Sequence, residues 1–409
     1  MQFKTIKMIG QIPKEWDTIY LKDIATLITK GATPTTYGFP WVEHGIFLFK
    51  SDCVKNGKFR YGEYNYISEE AHNYLKRSKI NSGDIVMSIT GDLGRVAIIP
   101  EDIEEANINQ HLAKISIENQ KVHPKFIYHW LNRKEIRRYY NLIKTGLAYP
   151  QISLKQVRET VVPVPAIEEQ KKIADILSTW DKAIELKEQL VDQRKEQKRG
   201  LIQKLLTSEV RLPGFHGDWK EFKIKELSKV VTGNTPSTKN KEYYEGGHYP
   251  WITPTDISDS KYVTKGERYL TQKGLEKGRY VPKGSLLVTC IASIGKNAII
   301  RNDGSCNQQI NAVFPSEHHS NEFLYYKLEK DTKRLESFAG RSATAIINKK
   351  TFENFKVKLP PYDEQVAIAE ILSKIDENIE LLLQNIDQLK KQKNGLVQLL
   401  LTGKIRVKV

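Results

Sequence analysis

Histidine and cysteine are the residues whose spacing most readily reveals a metal site or a reactive thiol in a sequence. The nine histidines are scattered, apart from His318-His319 in the polar stretch SEHHSNEF, which is typical of a surface loop. Cys53, Cys290 and Cys306 form no CxxC pair, so neither a disulfide framework nor a zinc site is indicated. The sequence has no HExxH, no GxxxxGKS/T, and no GxGxxG after a strand. It therefore predicts no catalytic residue, no metal site and no cofactor in this chain.

One tetrapeptide, Leu359–Tyr362 (LPPY), resembles the (D/N/S)PPY motif of amino-methyltransferases. In that motif the first side chain and the adjacent carbonyl hold the target amino group, but a leucine side chain cannot accept a hydrogen bond. No glycine-rich cofactor loop accompanies LPPY, and its counterpart Val164–Ile167 (VPAI) lacks the motif. We interpret both segments as the entry to a helix.

The net charge of +15 is distributed unevenly along the 409 residues. Lys and Arg outnumber Asp and Glu by 23 to 17 in residues 1–164 and by 24 to 16 in residues 213–359. The counts are 10 and 9 in residues 165–212, and 7 and 7 in residues 360–409. Two basic regions favour a phosphate-bearing partner, through Coulomb attraction and counterion release.

The composition is that of a folded protein, with 39% hydrophobic and 28% charged residues. No apolar run approaches the roughly 20 residues of a membrane helix. The N-terminal residues lack the apolar core and the small-residue cleavage site of a signal peptide. We therefore expect no membrane association and a reducing, cytoplasmic location.

The two nearly neutral stretches are copies of one another. Pro165–Leu212 and Pro360–Val407 align without a gap at an offset of 195, with 25 of 48 positions identical, and both begin P-x-x-x-E-Q-x-x-I-A. Apolar residues recur in alternating steps of four and three, which predicts two long helices with a heptad seam. The predicted seam residues are Ile173, Leu177, Trp180, Ile184, Ile368, Leu372, Ile375, Ile379, Ile386 and Leu389. Three basic residues interrupt the first seam: Lys187, Arg194 and Lys198. We expect the helices to pair with each other as an antiparallel coiled coil.

The two basic regions repeat each other more loosely. GATPTT (31–36) matches GNTPST (233–238), and Trp16, Gly94 and Asn109 match Trp219, Gly295 and Asn307. Short β-prone runs separated by Gly and Pro predict an α+β lobe, and residues 125–144 have helical spacing. The predicted organisation is an internal pseudo-twofold repeat: a lobe at 1–164, a helix at 165–212, a lobe at 213–359 and a helix at 360–409.

The helical repeats resemble a known family. EEQKKIADILSTWDKAIEL after PVP, DEQVAIAEILSKIDENIEL after KLP, and the endings GLIQKLLT and GLVQLLLTGKIRV resemble the specificity subunits of type I restriction–modification enzymes. The resemblance spans the whole chain. It implies two globular target recognition domains, each binding one half of a bipartite, asymmetric site on double-stranded DNA. It also implies that the paired helices set the spacer between the half-sites.

The resemblance further implies the partners of the chain. Two methyltransferase subunits would dock on the helices, and motor–nuclease restriction subunits would join them in a phage-defence complex. S-adenosylmethionine, ATP and Mg²⁺ would be used by those subunits, and this chain would have no catalytic activity of its own.

The comparison of the two lobes also separates the residues that maintain the fold from those that determine DNA specificity. Two half-sites normally differ, so residues common to both lobes should maintain the fold, and loop residues that differ should contact DNA bases and phosphates. The predicted DNA-binding residues are Thr35, Thr36, Lys50, Ser51, Arg95, Ser237, Thr238, Thr253, Thr255, Lys296 and Arg341. Two other functions stay open from the sequence: a self-sufficient DNA methyltransferase, and a coiled-coil scaffold with no DNA role.

Overall fold

The computed structural model describes residues 2–6, 10–55, 57–62, 64–339 and 345–408. The chain divides into two compact units. Unit 1 comprises Met1–Glu188 and Gln384–Val409, and unit 2 comprises Gln189–Leu383. Each unit therefore contains one lobe and a segment of each long helix. No helix within the described ranges is long and apolar enough to cross a bilayer.

Unit 1 contains fourteen strands among the described residues. They are β1 (Phe3–Ile6), β2 (Gly10–Pro13), β3 (Asp17–Tyr20), β4 (Leu27–Lys30), β5 (Ile46–Phe49), β6 (Val54–Lys55), β7 (Lys58–Phe59), β8 (Tyr64–Ile67), β9 (Lys79–Ile80), β10 (Ile85–Ser88), β11 (Val96–Ile98), β12 (Ala106–Ile108), β13 (Leu112–Ser116) and β14 (Val161–Val164). The helices that begin in this unit are α1 (Glu69–Tyr74), α2 (Pro124–Leu131), α3 (Lys134–Ile143), α4 (Leu154–Arg158) and α5 (Ile167–Leu205).

Two four-stranded sheets form the body of lobe 1. The first has the order β11-β10-β13-β4 with antiparallel neighbours, and the second has the order β8-β5-β12-β9 with β5 parallel to β12. Strand β10 is buried along its whole length because sheet neighbours and packed elements cover it on every side. Strand β14 pairs with β3, which ties the residues before α5 to the start of the lobe.

Unit 2 repeats this plan. Its described strands are β15 (Lys220–Lys223), β16 (Val230–Thr232), β17 (Tyr249–Ile252), β18 (Tyr262–Val263), β19 (Arg268–Leu270), β20 (Leu286–Thr289), β21 (Asn297–Ile300), β22 (Ser305–Cys306), β23 (Ile310–Val313) and β24 (Lys356–Leu359). The helices that begin in it are α6 (Ile224–Leu227), α7 (Gln272–Lys277), α8 (Asn321–Glu336), α9 (Lys349–Glu353) and α10 (Tyr362–Leu400). The sheets have the orders β16-β23-β20-β21-β18 and β19-β17-β22, and β15 pairs with β24 as β3 does with β14.

The short helices of both lobes begin at matching capping residues. Ser68 caps α1 and Thr271 caps α7, each accepting a hydrogen bond from the backbone N–H three residues later. Ser153 and Asn348 do the same for α4 and α9. A side-chain oxygen at this position satisfies a backbone N–H that has no partner within the helix. The positions of these caps explain why the same elements form in two lobes of low sequence identity.

The P-x-x-x-E-Q-x-x-I-A signature anchors the start of each long helix to its own lobe. In unit 1 the amide of Gln170 donates to the Pro165 carbonyl at 2.8 Å, and its Oε1 accepts from the His123 backbone at 2.9 Å. In unit 2 the amide of Gln365 donates to the Pro360 carbonyl at 2.9 Å, and its Oε1 accepts from the backbone of Ser320 at 3.0 Å. The signature glutamine therefore closes the first turn and holds the chain that leads into α2 or α8.

The signature glutamate binds the other end of the helix repeat. Glu169 is 1% exposed, and Arg406 donates to both of its carboxylate oxygens, at 2.5 and 2.7 Å. Glu364 is fully buried, and Arg211 binds both of its oxygens at 2.7 Å. Such bidentate, charge-assisted pairs fix both position and orientation. Each unit therefore joins the start of one long helix to the residues that follow the end of the other.

The helix segments within each unit run antiparallel. In unit 1, Lys393 on α10 contacts Asp181 on α5 at 2.5 Å, and further along the pair Lys390 contacts Glu188 at 2.7 Å. From the first contact to the second, the residue number rises on α5 and falls on α10, so the two segments run in opposite directions. In unit 2, Lys198 on α5 contacts Asp376 on α10 at 3.0 Å. The Lys393 and Lys198 contacts are equivalent under the offset of 195, so both units have the same register.

The predicted seam positions are all buried or half-buried. Leu177 and Leu372 are fully buried, whereas Trp180, Ile375, Ile379 and Leu389 are half-buried. The basic interruption Lys198 is accommodated because its ammonium reaches Asp376, rather than an apolar partner, while its aliphatic part lies along the seam.

One prediction within lobe 1 was wrong in its detail. The helical stretch 125–144 is two helices, because Arg133 adopts an extended conformation with φ −67° and ψ 145° between α2 and α3. The break shifts the phase of the second helix. Tyr140 is consequently the fully buried aromatic residue of α3, and its hydroxyl lies 2.7 Å from that of Thr160.

Candidate nucleic-acid interface

A glycine brings the threonine-rich loop of each lobe against the Asn-Gln segment. A Cβ at Gly31 would overlap the carbonyl oxygens of Ile108 and Asn109, and a Cβ at Gly233 would overlap those of Cys306 and Asn307. Only glycine permits this approach of two backbones. The loop after β4 and the loop after β16 are therefore fixed beside the strand that precedes each Asn-Gln pair.

A hydrogen bond from the next threonine completes that arrangement. Thr33 donates to Oε1 of Gln110, and Thr235 donates to Oε1 of Gln308 at 2.7 Å. The threonines one turn later point outward: Thr35 and Thr36 are exposed on the 3-10 turn Pro34–Tyr37. Ser237 and Thr238 are exposed in the same way in unit 2. The common residues thus position the loop, and Thr35, Thr36, Ser237 and Thr238 are exposed to solvent.

Lys50 and Ser51 lie beside this loop in unit 1. They follow β5, whose last residue, Phe49, accepts a hydrogen bond from the backbone of Asn109 at 3.0 Å. Arg95 reaches the same place from another loop, since its Nη2 donates to the Ser51 carbonyl at 3.1 Å. Four loops therefore meet at one edge of the lobe, which we call recognition edge 1: residues 31–37, 50–52, 89–95 and 109–111.

The turn that carries Arg95 depends on Gly94. Its φ is +72°, and a Cβ there would lie 2.8 Å from the Tyr140 ring. The Ser88 hydroxyl accepts from the Arg95 backbone at 2.9 Å and donates to the Asp92 carbonyl at 2.5 Å. These bonds fix the direction in which the Arg95 side chain leaves the turn.

The corresponding loops of unit 2 form recognition edge 2: residues 233–238, 253–256, 290–296 and 307–309. A cavity of about 480 Å³ opens here and is lined by Thr253 and Thr255 together with Arg268, Asn307 and Gln309. The hydroxyls of Thr253 and Thr255 lie 2.8 Å apart, and Asp256 accepts from the Thr253 hydroxyl at 2.6 Å. Thr253 stands here at the position of Lys50, so this edge presents a hydroxyl group where edge 1 presents an ammonium group.

Lys296 stands at the position of Arg95. It follows Gly295, which has φ +80° and whose Cβ would lie 2.8 Å from Thr332, and its carbonyl accepts from the backbone of Thr289 at 2.9 Å. Its side chain is not among those lining the 480 Å³ cavity. Arg341 lies outside the described residues.

The three thiols and His319 are buried in the described ranges. Burial raises the pKa of Cys53 to about 12, that of Cys290 to about 11 and that of Cys306 to about 12, so none is an activated thiolate. His319 was expected in a surface loop, but it is 2% exposed, with Ser316 at 2.9 Å from one ring nitrogen and Asn321 at 2.7 Å from the other. No cluster of three or more His, Cys, Asp or Glu that could hold a metal occurs among the described residues.

Comparison with known proteins identifies the repeated unit. The family model for the type I restriction modification DNA specificity domain matches residues 13–193 and 216–391. The chain belongs to this family. Both matches contain one lobe and most of the helix that follows it.

Specificity subunits resemble the chain over nearly its full length. It is 26% identical over 424 residues to the putative type I restriction enzyme MjaX specificity subunit of Methanocaldococcus jannaschii, covering 98% of this chain and 96% of that one. It is 24% identical over 421 residues to the type I restriction enzyme HindI specificity subunit of Haemophilus influenzae, covering 85% and 90%. The solved type I S subunit from M. genitalium has the same fold, with a TM-score of 0.62 at 16% identity over 95% of this chain and 96% of that one.

One surface of this type I specificity chain was missed from the sequence. Thr145 and Gln151 exchange two backbone hydrogen bonds of 2.9 Å and close a hairpin whose tip residue, Leu147, is wholly exposed. The hairpin borders recognition edge 1, because the Gly91 backbone donates to the Pro150 carbonyl at 2.8 Å. The segment TGLAYPQ contains the glycine and proline of a turn, and that signal could have indicated it.

Proposed function

We propose that this chain is the DNA-recognition subunit of a type I restriction–modification complex. Each lobe, residues 1–164 and 213–359, binds one half of a bipartite, asymmetric site on double-stranded DNA. The observation that carries the proposal is the repeated recognition edge. The same backbone bonds hold four loops together in each lobe, while the side chains that the loops expose differ.

The two edges suit different bases. Arg95 and Lys50 on edge 1 are donors for phosphate oxygens or for the acceptor groups of guanine. The hydroxyls of Ser237, Thr238 and Thr255 on edge 2 can donate or accept, and so suit a different sequence. The basic excess of both lobes supplies the sequence-independent attraction, and the exposed loop residues supply the discrimination.

Catalysis is assigned to partner subunits. The chain offers no activated nucleophile among the described residues, so methyl transfer from S-adenosylmethionine would belong to two methyltransferase subunits. ATP and Mg²⁺ would serve motor–nuclease subunits. The proposed location is the cytoplasm, where such a complex meets both chromosomal and invading DNA.

The long helices are proposed to pair as a coiled coil that sets the spacer between the half-sites and docks the methyltransferases. This role is supported by the equal length of α5 and α10, 39 residues each, and by the matched ion pairs that fix the register in each unit. An element that sets the spacer must keep its length, whereas the lobe loops can gain or lose residues without changing the distance between the half-sites.

The test is to lengthen both helices together. Four residues, about one helical turn, are inserted after Gln193 and after Gln388, and methylated sites are mapped in a host that carries the cognate methyltransferase. The expected result is an unchanged pair of half-sites separated by a different spacer. Changed half-site bases with the original spacer would contradict the proposal. Methyl transfer by the purified chain alone would instead indicate a self-sufficient methyltransferase.

A further inference from the structure

A second basic surface lies in unit 1, away from the outward-facing threonines of recognition edge 1. It is a cleft of about 630 Å³, with the β6–β7 hairpin and the α2–α3 junction on one side and the unit 1 segments of α5 and α10 on the other. Nine lysine and arginine side chains line it, against four aspartates and glutamates. The excess of cations shows which kind of ligand the cleft favours.

Three of the four carboxylates of the cleft are engaged with lysine or arginine side chains, and the fourth, Glu135, lies 3.3 Å from Nε of Arg133. Asp181 binds Lys393, and Asp92 binds Arg137 and lies 3.5 Å from Arg95. Burial alone would raise the pKa of Glu188, but hydrogen bonds from Lys390 and Lys58 outweigh it and lower the pKa, so this carboxylate is ionised and paired.

Two exposed cations of the cleft have no such partner. Lys55 and Lys134 have no carboxylate within 4 Å among the residues that the structure describes. Their positive charge therefore remains available to an anion that enters the cleft.

Arg133 provides the buried part of the site. It is 3% exposed, and its guanidinium stacks on the Trp130 ring at 4.4 Å from the ring centre. Its Nε lies 3.3 Å from Glu135, but neither Nε nor Nη1 makes a hydrogen bond within the described part of the chain. Buried donors are nearly always bonded in folded proteins, so the unbonded Nη1 group of Arg133 beside a basic cleft indicates a missing acceptor.

The start of α3 adds donors at the same point. This helix of ten residues begins at Lys134, and its N-cap, Arg133, makes no side-chain capping bond. The backbone N–H groups of Lys134 and Glu135 and the positive end of the helix dipole therefore lie at a wall of the cleft, to which both residues belong. An oxyanion here would receive bonds from a guanidinium and from backbone N–H groups together.

Unit 2 is built differently at the position equivalent to the α2–α3 junction. Helix α8 continues through it without a break, and Glu329 occupies the position of Asn132. The carboxylate of Glu329 lies 3.7 Å from Lys198, and the hydroxyl of Tyr326 donates to Asp376 at 2.6 Å. Glu329 and Asp376 thus neutralise Lys198 at that junction, and the uninterrupted helix provides no helix start to receive an anion.

We propose that the unit 1 cleft binds phosphates of the DNA backbone that adjoin the half-site held by lobe 1. This inference rests on the proposed function. The cleft is continuous with recognition edge 1, since Arg95 lines the cleft and also donates to the Ser51 carbonyl in that edge. A strand that leaves the edge towards the helix segments of unit 1 passes the cleft, and a diester phosphate matches the planar guanidinium and helix donors. Lobe 1 thereby holds more of the backbone than lobe 2 does.

The test compares two double variants of the full chain, assembled with its methyltransferase. The cleft variant is Lys55→Ala with Lys134→Ala, and the control is Lys121→Ala with Lys125→Ala, which removes two exposed charges of the same unit outside the cleft. Affinity for a duplex containing the mapped target is measured by fluorescence anisotropy at several salt concentrations. Each lost phosphate contact reduces the slope of log K against log salt by about 0.9. We expect the cleft variant to lose about two in slope and the control to keep the wild-type slope.

Chemical neutralisation of the DNA provides the second arm. A duplex with methylphosphonates on the spacer side of the lobe 1 half-site should bind the wild type about as weakly as the cleft variant binds normal DNA, and should weaken the cleft variant no further. Equal slopes for both variants would overturn the inference, as would impaired methyltransferase assembly with an unchanged salt slope. Loss of preference for target over random duplex in the wild type would instead refute the proposed function. An Arg133→Gln variant, if folded by circular dichroism, should reproduce the reduced slope.

Discussion

In unit 1, Arg406 binds both oxygens of Glu169; in unit 2, Arg211 does the same for Glu364. The α2–α3 junction shows the opposite behaviour. Unit 1 has a helix break with Arg133 open to a basic cleft, and unit 2 has a continuous helix. The comparison teaches that the repeat preserves the contacts that join one long helix to the end of the other and varies the surfaces that could face a ligand.

The internal repeat therefore separates assembly from recognition within one chain. Equivalent residues at an offset of 195 should have equivalent effects on folding, because both copies make the same contacts. Residues at the two recognition edges and at the cleft should affect one unit only. Both statements can be tested with matched substitutions.

The largest expected effect concerns the residues that follow each long helix. Leu401 and Leu206 are equivalent and fully buried, Leu401 in the core of unit 1 and Leu206 in that of unit 2. Leu401→Ala should lower the free energy of unfolding of unit 1 by about 3 kcal/mol, and Leu206→Ala should do the same in unit 2. Hydrogen exchange with mass spectrometry would assign each loss to its unit. Faster exchange of lobe 2 in Leu401→Ala, with lobe 1 unchanged, would break the comparison.

Acid should destabilise unit 1 through protonation of His129. The counterpart of His129 in unit 2 is Tyr326, which does not titrate in this range. Burial, with help from Lys393, lowers the pKa of His129 to about 3. The folded pKa lies below the unfolded value of 6.5, so this stability is complete above pH 6.5 and is lost as the pH falls towards 3, by about 1.4 kcal/mol per unit. Between pH 6.5 and pH 5, the wild type should lose about 2 kcal/mol more of its free energy of unfolding than His129→Tyr does, as measured by urea unfolding. Parallel pH profiles for both proteins would refute the explanation.

Substitutions at Ser208 and at its equivalent, Gly403, should change stability in opposite directions, because both residues have a strained backbone conformation. Ser208 and Gly403 both have φ +64°, a conformation that favours glycine. Ser208→Gly should stabilise unit 2 by up to about 1 kcal/mol. Gly403→Ser should destabilise unit 1 by more than about 1 kcal/mol, since its Cβ would also overlap Pro13. Chemical denaturation of both variants would check this, and effects of the same sign would contradict it.

The smallest effects are expected at the recognition edges. Thr35→Ala with Thr36→Ala should reduce discrimination at one half-site by about 1 kcal/mol, roughly fivefold. Ser237→Ala with Thr238→Ala should do so at the other half-site. Competition with duplexes carrying single base changes in each half would measure this. If either variant altered discrimination at both half-sites, the assignment of one lobe to each half would be wrong.

Much of the scaffold could be predicted from the sequence, because a repeat and a heptad pattern are local signals. Ile173 and Leu372 proved to be buried in their units, and the segments proved to be antiparallel. The bond between Glu169 and Arg406 was not foreseen, since 237 residues separate the partners and nothing in either local sequence indicates the other.

The recognition residues illustrate a different limit. Thr35, Lys50 and Arg95 were chosen from composition and from differences between the lobes, and the structure places their loops at one edge. The cleft was missed because Arg133 lies within a stretch of continuous helical spacing. Its extended backbone depends on how α2 and α3 pack on the sheet, which single-sequence periodicity does not encode.

The central claim is that two lobes of one chain recognise two half-sites. Methylome sequencing of a host with and without this gene, in the presence of the cognate methyltransferase, tests it most directly. The account predicts one methylated motif that depends on the gene and consists of two different half-sites separated by a fixed spacer. A gene-dependent motif that is continuous, or the absence of any gene-dependent motif, would contradict it.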